Sequence, residues 1–262
     1  VVHQHDDALK HYQAAHASLL KAPHSDKPEK SDWWNIWLEI KSAILYVYYW
    51  LATPNEMSLI IKEIEPIIEK IADKRQLAKY YDDKLHVQFR KKRYLLNQKD
   101  IIIAKQAVNA ASQCEDSFLH AHSLFALGFT LMCAGKYKES PSNMLLALKL
   151  AVQHQDKILQ TRCCAYLSVN YRLKLDIKIS RKFSKRLLKL ADETNMDDYS
   201  AISLANLSWS YFAEKNHSLS SKYLENSLCK WNNISSRFEF PLLWLSHLQA
   251  IALCDVNSDF AK

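Results

Sequence analysis

The sequence repeats itself at an interval of about 40 residues. Small and apolar pairs recur at this interval without a gap: Ala107-Val108, Ala147-Leu148, Leu187-Leu188 and Ser227-Leu228. A second series in the same register consists of Val87, Leu127, Leu167 and Leu207. A period of this size is typical of solenoid arrays, in which each repeat buries its apolar face only by stacking on its neighbours. The chain is therefore expected to fold as a stack of similar units.

Each repeat contains two amphipathic segments with apolar residues at three- and four-residue spacing, which predicts a helical hairpin. Turns between the paired helices are expected near residues 53, 97, 135, 175 and 216. The first pair is expected at about 32–51 and 55–73, a lone helix from Asp6, and a last helix at 239–256. The predicted fold is all-α: a right-handed solenoid of about five to six hairpins, forming one domain over residues 1–262 with a loop at 22–31. The incomplete terminal hairpins indicate a fragment of a longer protein.

Glycine is nearly absent, since Gly128 and Gly135 are the two that occur in 262 residues. A phosphate-binding loop, a dinucleotide-binding turn and a G-x-S-x-G nucleophile elbow each need glycines at fixed short spacings. These two glycines supply none of them. Scarce Gly and Pro also argue against a β-rich fold with many tight turns.

The sequence favours a reduced, cytoplasmic environment. Six cysteines occur without a C-x-x-C pair, and the N-terminal residues lack the charged and apolar regions of a signal peptide. The longest apolar run, residues 43–52, has half of the roughly 20 residues that a spanning helix requires. No membrane association is predicted.

The unit at 119–156 resembles a tetratricopeptide repeat. The residues that carry the resemblance are Leu127-Gly128, the segment 134–140 (AGKYKES), Met144, Ala147-Leu148 and Ala151. The other units keep the small and large positions but lack the glycines, the closing proline is absent, and the period exceeds that of the plain motif. HEAT repeats share the longer period but do not explain Gly128 and Ala147. The longer helices are similar to the repeat tails of bacterial multidomain signalling ATPases, in which a cyclase or kinase domain and an AAA-like ATPase precede the repeats.

That resemblance implies a non-enzymatic protein-interaction and regulatory module of a cytoplasmic signalling protein. The implied partner is a protein or peptide segment, including other domains of the same parent chain, and no cofactor is expected. A rival interpretation is a regulator that acts on a response-regulator partner in the manner of a phosphatase. No local Cys/His or Ser/His/Asp motif supports catalysis. His120 and His122 are separated by a single residue and so lie on different faces of a helix, which argues against a metal site.

In such solenoids the first helix of each pair lines the concave surface. Aromatic and basic residues on these helices predict a groove for an apolar peptide with acidic groups. The candidate groove residues are Tyr46, Tyr49, Trp50, Phe89, Lys92, Arg93, Phe125, Phe129, Arg172, Trp209 and Phe212. Packing between repeats is the alternative role for each ring taken singly.

A second candidate surface is basic. Eight basic residues and one acid lie between Arg172 and Lys189, and helical spacing places five of the basic residues on one stripe: Lys178, Arg181, Lys182, Lys185 and Lys189. The stripe is either a solvated convex face or a docking surface for an acidic partner or nucleic acid. The solvated face is the favoured role because no aromatic residue interleaves the stripe, and nucleic acid is not the expected partner.

Overall fold

A computed structural model of the chain describes residues 5–23, 32–71 and 73–234. Eleven helices and no strand lie within these residues. The helices are α1 His5–Leu19, α2 Asp32–Leu51, α3 Pro54–Ile71, α4 Lys74–Lys91, α5 Gln98–Ser112, α6 Ser117–Cys133, α7 Ser140–Gln153, α8 Lys157–Leu173, α9 Ile177–Thr194, α10 Asp197–Phe212 and α11 His217–Asn232. No helix in the described part of the chain is long and apolar enough to cross a membrane.

The hairpin turns predicted from the sequence are confirmed. The helix ends bracket residues 53, 97, 135, 175 and 216, and the first pair occupies 32–51 and 54–71. The lone first helix begins at His5, just before the expected position. The helix expected at 239–256 lies outside the described residues, as does most of the 22–31 loop.

Polar side chains cap the N-terminus of several helices. Asp116 and Asp156, one repeat apart, each accept a hydrogen bond of 2.9 Å at Oδ1 from the backbone N–H three positions later. Asp176 and Asn216, again one repeat apart, do the same at 3.1 Å for α9 and α11. Each cap satisfies a backbone donor that the first helical turn leaves without a partner. The repeat is therefore visible in the capping chemistry as well as in the apolar pattern.

The turns also repeat a left-handed backbone position. Gly135 has φ 74°, and the equivalent residues of the next two repeats, Leu175 and Lys215, have φ 60° and 61°. Gln155 and Asn195 form a second such pair at φ 56° and 54°. Residues with a Cβ adopt this conformation at a cost of about 1–2 kcal/mol. The hairpins therefore keep the turn geometry even where they have lost the glycine.

Substitutions at these turns are expected to have opposite effects on stability. Gly135→Ala should lower the free energy of unfolding by about 1 kcal/mol, because the backbone strain is new while no atom lies within 4 Å of the added Cβ. Leu175→Gly should raise it by about 0.5 kcal/mol, because the exposed Leu175 side chain loses little packing when the strain is relieved. Urea unfolding followed by circular dichroism measures both, and shifts of the same sign would contradict the interpretation.

The described residues divide into two compact units, an N-terminal unit up to Lys136 and a C-terminal unit from Tyr137 onward. In the N-terminal unit, each helix packs on the next, and the first helices of successive hairpins also pack together, α2 on α4 and α4 on α6. In the C-terminal unit, α7 to α11 pack in sequence and α8 also contacts α10. Contact between first helices of adjacent hairpins is the arrangement expected of a helical-repeat stack.

Small residues allow close helix packing in the C-terminal unit. Ser180 Oγ on α9 donates to the Ser168 carbonyl oxygen on α8 at 2.9 Å. One repeat later, Ser208 Oγ on α10 donates to the Ser220 carbonyl oxygen on α11, also at 2.9 Å. A serine hydroxyl reaches the backbone carbonyl of the paired helix only where the two helices lie close together, which leaves no room for a larger side chain. Ser168 and Ser208, which lie one repeat apart, thus mark the contact between paired helices.

Candidate functional site

A continuous set of aromatic rings joins the first helices of the N-terminal unit. We call it the aromatic cluster; its members are Tyr46, Tyr49 and Trp50 of α2, His86 and Phe89 of α4, Tyr94 after α4, and Phe125 and Phe129 of α6. Neighbouring ring centroids are 5.0–6.2 Å apart. Offset and edge-to-face pairs at this distance stabilise aromatic packing by about 0.5–1.5 kcal/mol each.

Exposure is graded across the cluster. Tyr46 is 40% exposed, and Trp50 and His86 are half-buried. In contrast, Tyr49, Phe89, Phe125 and Phe129 are all buried, with 9% exposure or less. The exposed and half-buried rings pack against the buried ones, so the cluster has a buried part and a solvent-accessible edge.

The buried members of the cluster pack between repeats, which is the alternative role expected for a groove ring taken singly. Phe89, Phe125 and Phe129 are core residues, because the contact of α4 with α6 encloses their rings; Phe89 and Phe129 are 5.3 Å apart. Tyr49 is covered by the Arg90 guanidinium, which lies 4.3 Å from the ring centroid, and its hydroxyl is 2.9 Å from that of Tyr94. Packing between repeats, the alternative role, applies to these four rings.

Arg90 connects α4 to α2 at the edge of the cluster. Its Nε donates to the Tyr49 carbonyl oxygen at 2.6 Å, one of the last carbonyls of α2. A cation at a helix C-terminus is favoured by the helix dipole. Arg90 and Tyr49 both lie near the C-terminal end of the first helix of a hairpin, so the bond connects two successive hairpins. Burial and the neighbouring Tyr49 hydroxyl raise the pKa of Tyr94, which keeps that phenol neutral.

The backbone after α4 has an unusual conformation. Arg93 and Tyr94 are consecutive non-glycine residues with φ 47° and 63°. Strained residues of this kind persist where the surrounding structure holds them and are enriched at binding sites. Here the strain turns Tyr94 into the cluster and leaves Arg93 exposed beside it.

Lys92, one of the predicted groove cations, forms an ion pair within the protein. Its Nζ donates to both carboxylate oxygens of Asp100, at 2.7 and 2.9 Å. Asp100 belongs to the capping box of α5, where Oδ2 also accepts from the Asn97 backbone N–H at 2.8 Å. The lysine is therefore occupied by a buried carboxylate, and Arg93 is the exposed cation of the pair.

The predicted groove residues of the C-terminal unit are half-buried. Trp209 packs against the apolar cluster that contains Leu224 and Trp231. Phe212 lies with its ring centroid 6.0 Å from His217. Burial lowers the pKa of Arg172 to about 10. These side chains therefore combine core packing with limited exposure.

Arg181 does not belong to the exposed basic stripe. Its Nε donates to Ser210 Oγ and its Nη2 to the Ser210 carbonyl oxygen, both at 3.0 Å. The guanidinium also pairs with Glu214 at 2.5 Å and lies 4.5 Å from the Tyr211 ring centroid. These bonds fix α9 to the end of α10. The other four predicted members, Lys178, Lys182, Lys185 and Lys189, are exposed.

His86 and the graded exposure were not predicted from the sequence. His86 contacts two of the tyrosines of α2, with ring centroids 5.6 Å from Tyr46 and 5.0 Å from Tyr49. The contact with Tyr46 could have been predicted, because His86 lies one repeat after Tyr46 and the first helices of successive hairpins pack together. No group of three or more His, Cys, Asp or Glu residues suited to a metal ion occurs in the described part of the chain.

No protein-family model and no curated protein matches this chain. Solved structures do match. A signal transduction ATPase with numerous domains and a tetratricopeptide-repeat sensor, from Pyrococcus horikoshii, is 19% identical with a TM-score of 0.66. The alignment covers 92% of this chain and 36% of that protein, so the chain spans well under half of its length.

Two further structures have the same fold. Aspartyl phosphate phosphatase F from Bacillus subtilis is 11% identical with a TM-score of 0.65, covering 93% of this chain and 65% of the other. A Rap protein complexed with Competence and Sporulation Factor is 15% identical with a TM-score of 0.60, covering 94% and 70%. The resemblance to tetratricopeptide repeats is thus confirmed as a likeness of fold: the chain is an all-α, tetratricopeptide-like helical solenoid.

Proposed function

We propose that the chain is a non-enzymatic protein-interaction module that regulates a larger cytoplasmic signalling protein. The observation that carries the proposal is the aromatic cluster, whose exposed edge of Tyr46, Trp50 and His86 lies on first helices, while the exposed cation Arg93 directly precedes Tyr94 of the cluster. Aromatic and arginine side chains contribute most of the binding energy at protein interfaces. The fold supports the proposal, since stacked hairpins present their first helices as an extended binding surface.

The proposed ligand of this edge is a peptide segment with an apolar side chain and an acidic group. The apolar group would lie on the Tyr46 and Trp50 rings, and the acidic group would pair with Arg93. The proposal is supported by a neighbour of this fold, a Rap protein, that was solved in complex with Competence and Sporulation Factor. Arg172, Trp209 and Phe212 are proposed to act in the same way within the C-terminal unit.

Removing the exposed ring and the exposed cation together is expected to abolish most of the binding. Peptides selected from a displayed random library against the full chain should lose at least tenfold in affinity, about 1.4 kcal/mol, for Tyr46→Ala combined with Arg93→Glu. Fluorescence anisotropy with labelled peptides measures the loss.

The matched control combines Phe118→Ala with Lys91→Glu, which removes an exposed ring and reverses an exposed cation elsewhere in the N-terminal unit. The control should bind as the wild type does. Equal losses in the two double variants would show that the aromatic cluster has no special role.

A phosphatase-like regulator of a response regulator is the second candidate, and the similarity to aspartyl phosphate phosphatase F favours it. Such an activity needs a polar side chain presented to an aspartyl phosphate. Release of phosphate from phosphorylated response regulators on addition of the chain tests it directly. Turnover that survives the Tyr46 and Arg93 changes would replace the binding-module proposal.

A further inference from the structure

Four lysines form a line along the exposed face of α9. We call them the lysine row: Lys178, Lys182, Lys185 and Lys189. Their spacings of four, three and four positions place them on one side of the helix. At the axial rise of an α-helix the row is about 16 Å long. Leu187 and Ala191, on the opposite side, are buried against neighbouring helices and hold α9 in place.

The amines of the lysine row form no ion pair within the described residues. Lys189 has two acids one turn away, but both are bonded to other cations. Glu193 pairs with Lys157 at 2.8 Å, and Asp192 lies 3.7 Å from Lys230. The charge of Lys189 also helps to lower the pKa of Glu193, but no acid is bonded to an amine of the row, so its positive charge is largely uncompensated within the described residues.

The row opposes the stability of its own helix. Like charges three and four positions apart repel one another along a helix surface. Lys178 also lies in the first turn, where the helix dipole disfavours a cation. A solvated helix face is equally soluble when acids and bases are mixed, as in α3, which carries Glu56, Glu63, Glu65 and Glu69 together with Lys62 and Lys70. An uncompensated row suggests that its counter-charges come from a partner.

We propose that the lysine row is a docking surface for an acidic α-helix of a partner protein. Carboxylates at positions i, i+4, i+7 and i+11 of a second helix have the same axial spacing as the four amines, so they can face them one by one. This surface belongs to a second helix of a hairpin in the C-terminal unit. The proposal goes beyond the proposed function, because it does not require the aromatic cluster to bind anything.

The chemistry of α9 favours an acidic helix over nucleic acid. Single strands bind to basic surfaces through rings on which the bases stack. The ring that α9 carries, Phe183, is half-buried and stacked on Tyr171 with centroids 5.8 Å apart. Membrane-surface helices, in turn, insert an apolar face with Trp, Phe or Leu. The apolar side of α9 is buried in the protein.

The test uses the full chain and a designed probe. The probe is a fluorescein-labelled, alanine-rich helical peptide, four to five turns long, with glutamates at i, i+4, i+7 and i+11. A second peptide has the same composition, but its glutamates are spread over all faces of the helix. We expect the one-face peptide to bind at least tenfold more tightly in anisotropy titrations, with an affinity that falls as the salt concentration rises.

Variants locate the binding. Lys182→Gln with Lys185→Gln should lower the affinity for the one-face peptide at least tenfold. Lys105→Gln with Lys149→Gln removes the same charge from exposed positions on α5 and α7 and should leave it unchanged. Both variants keep neutral, helix-compatible side chains, and circular dichroism verifies that they are folded.

Three results would overturn the proposal. Equal affinity for the two peptides would show that the row attracts negative charge in general and does not recognise glutamates arranged on one face of a helix. Equal losses in the two variants would show that net charge, not the row, is responsible. A DNA duplex of matching length, or a phosphatidylserine vesicle, bound more tightly than the peptide and released by the Lys182 and Lys185 changes, would assign the row to that partner instead. None of these results depends on the Tyr46 and Arg93 variants.

Discussion

Reversing the charge of Lys92 is expected to lower the free energy of unfolding by about 3 kcal/mol. The lysine side chain is 29% exposed, but the carboxylate that it binds, Asp100, is 1% exposed. Lys92→Glu would leave that buried carboxylate without its cation and place a second negative charge beside it. Removing one partner of a buried ion pair costs about 3–5 kcal/mol, and the partial exposure of Lys92 places the estimate at the lower end.

Urea unfolding followed by circular dichroism measures the effect as a shift in midpoint at unchanged slope. Lys91→Glu is the matched control, because Lys91 is the adjacent residue and is exposed. It should change the free energy of unfolding by no more than about 0.5 kcal/mol. Similar losses for the two variants would mean that the bond to Asp100 contributes little.

The ion pair between Lys92 and Asp100 makes Lys92 unsuitable for testing the binding proposal. A variant that reverses both Lys92 and Arg93 would lose affinity through unfolding as well as through lost contacts. Arg93 alone is exposed and unlinked to Asp100, so it reports on binding. The two adjacent cations look alike in the sequence, whereas the capping box of α5 distinguishes them.

The repeat made the fold predictable. The recurrence of a hairpin turn once per repeat follows from apolar periodicity and small residues, and both are local properties of the chain. The left-handed turn was marked by glycine at Gly135 but not at Leu175 or Lys215. Those two turns were still predicted correctly, because they lie one and two repeat intervals after the turn at Gly135.

The site was less predictable, because the burial of a side chain depends on its contacts with neighbouring helices. Periodicity in the sequence does not reveal those contacts. Phe129 and Tyr46 occupy first helices and look alike in the sequence, yet one is enclosed between α4 and α6 and the other is exposed. Arg181 falls on the same helical stripe as Lys182, but its longer, planar head reaches Ser210 on α10. Such distinctions arise from contacts between helices and not from periodicity along one of them.

Asp83 is expected to make the stability of the chain strongly dependent on pH. Its side chain is buried on α4, with 6% exposure. Burial is the main cause that raises the pKa of Asp83 to about 8; the charges of Asp82 and Glu39 act in the same direction, and a hydrogen bond with Ser42 and the charge of Lys79 oppose them. The folded protein therefore holds a proton on this carboxyl at neutral pH.

The direction of the effect follows from proton linkage. An unfolded aspartate has a pKa of about 3.9, so between about pH 4 and 8 the folded state binds a proton that the unfolded state has lost. The stabilising contribution is fully present below about pH 4 and is lost as the pH rises toward 8. Each pH unit in this window corresponds to at most about 1.4 kcal/mol, which gives a loss on the order of 3 kcal/mol between pH 5 and pH 8.

Asp83→Asn removes this titration while keeping a hydrogen-bonding side chain of the same size. The difference in free energy of unfolding between the variant and the wild type should be small at pH 5 and should favour the variant by about 3 kcal/mol at pH 8. Urea unfolding at half-unit pH intervals measures the difference, in which the titration of the histidines cancels. Asp7→Asn, at an exposed position, is the control and should run parallel to the wild type. If the Asp83→Asn curve also ran parallel, the carboxyl would be ionised in the folded protein and its surroundings would have to enclose a charge at neutral pH.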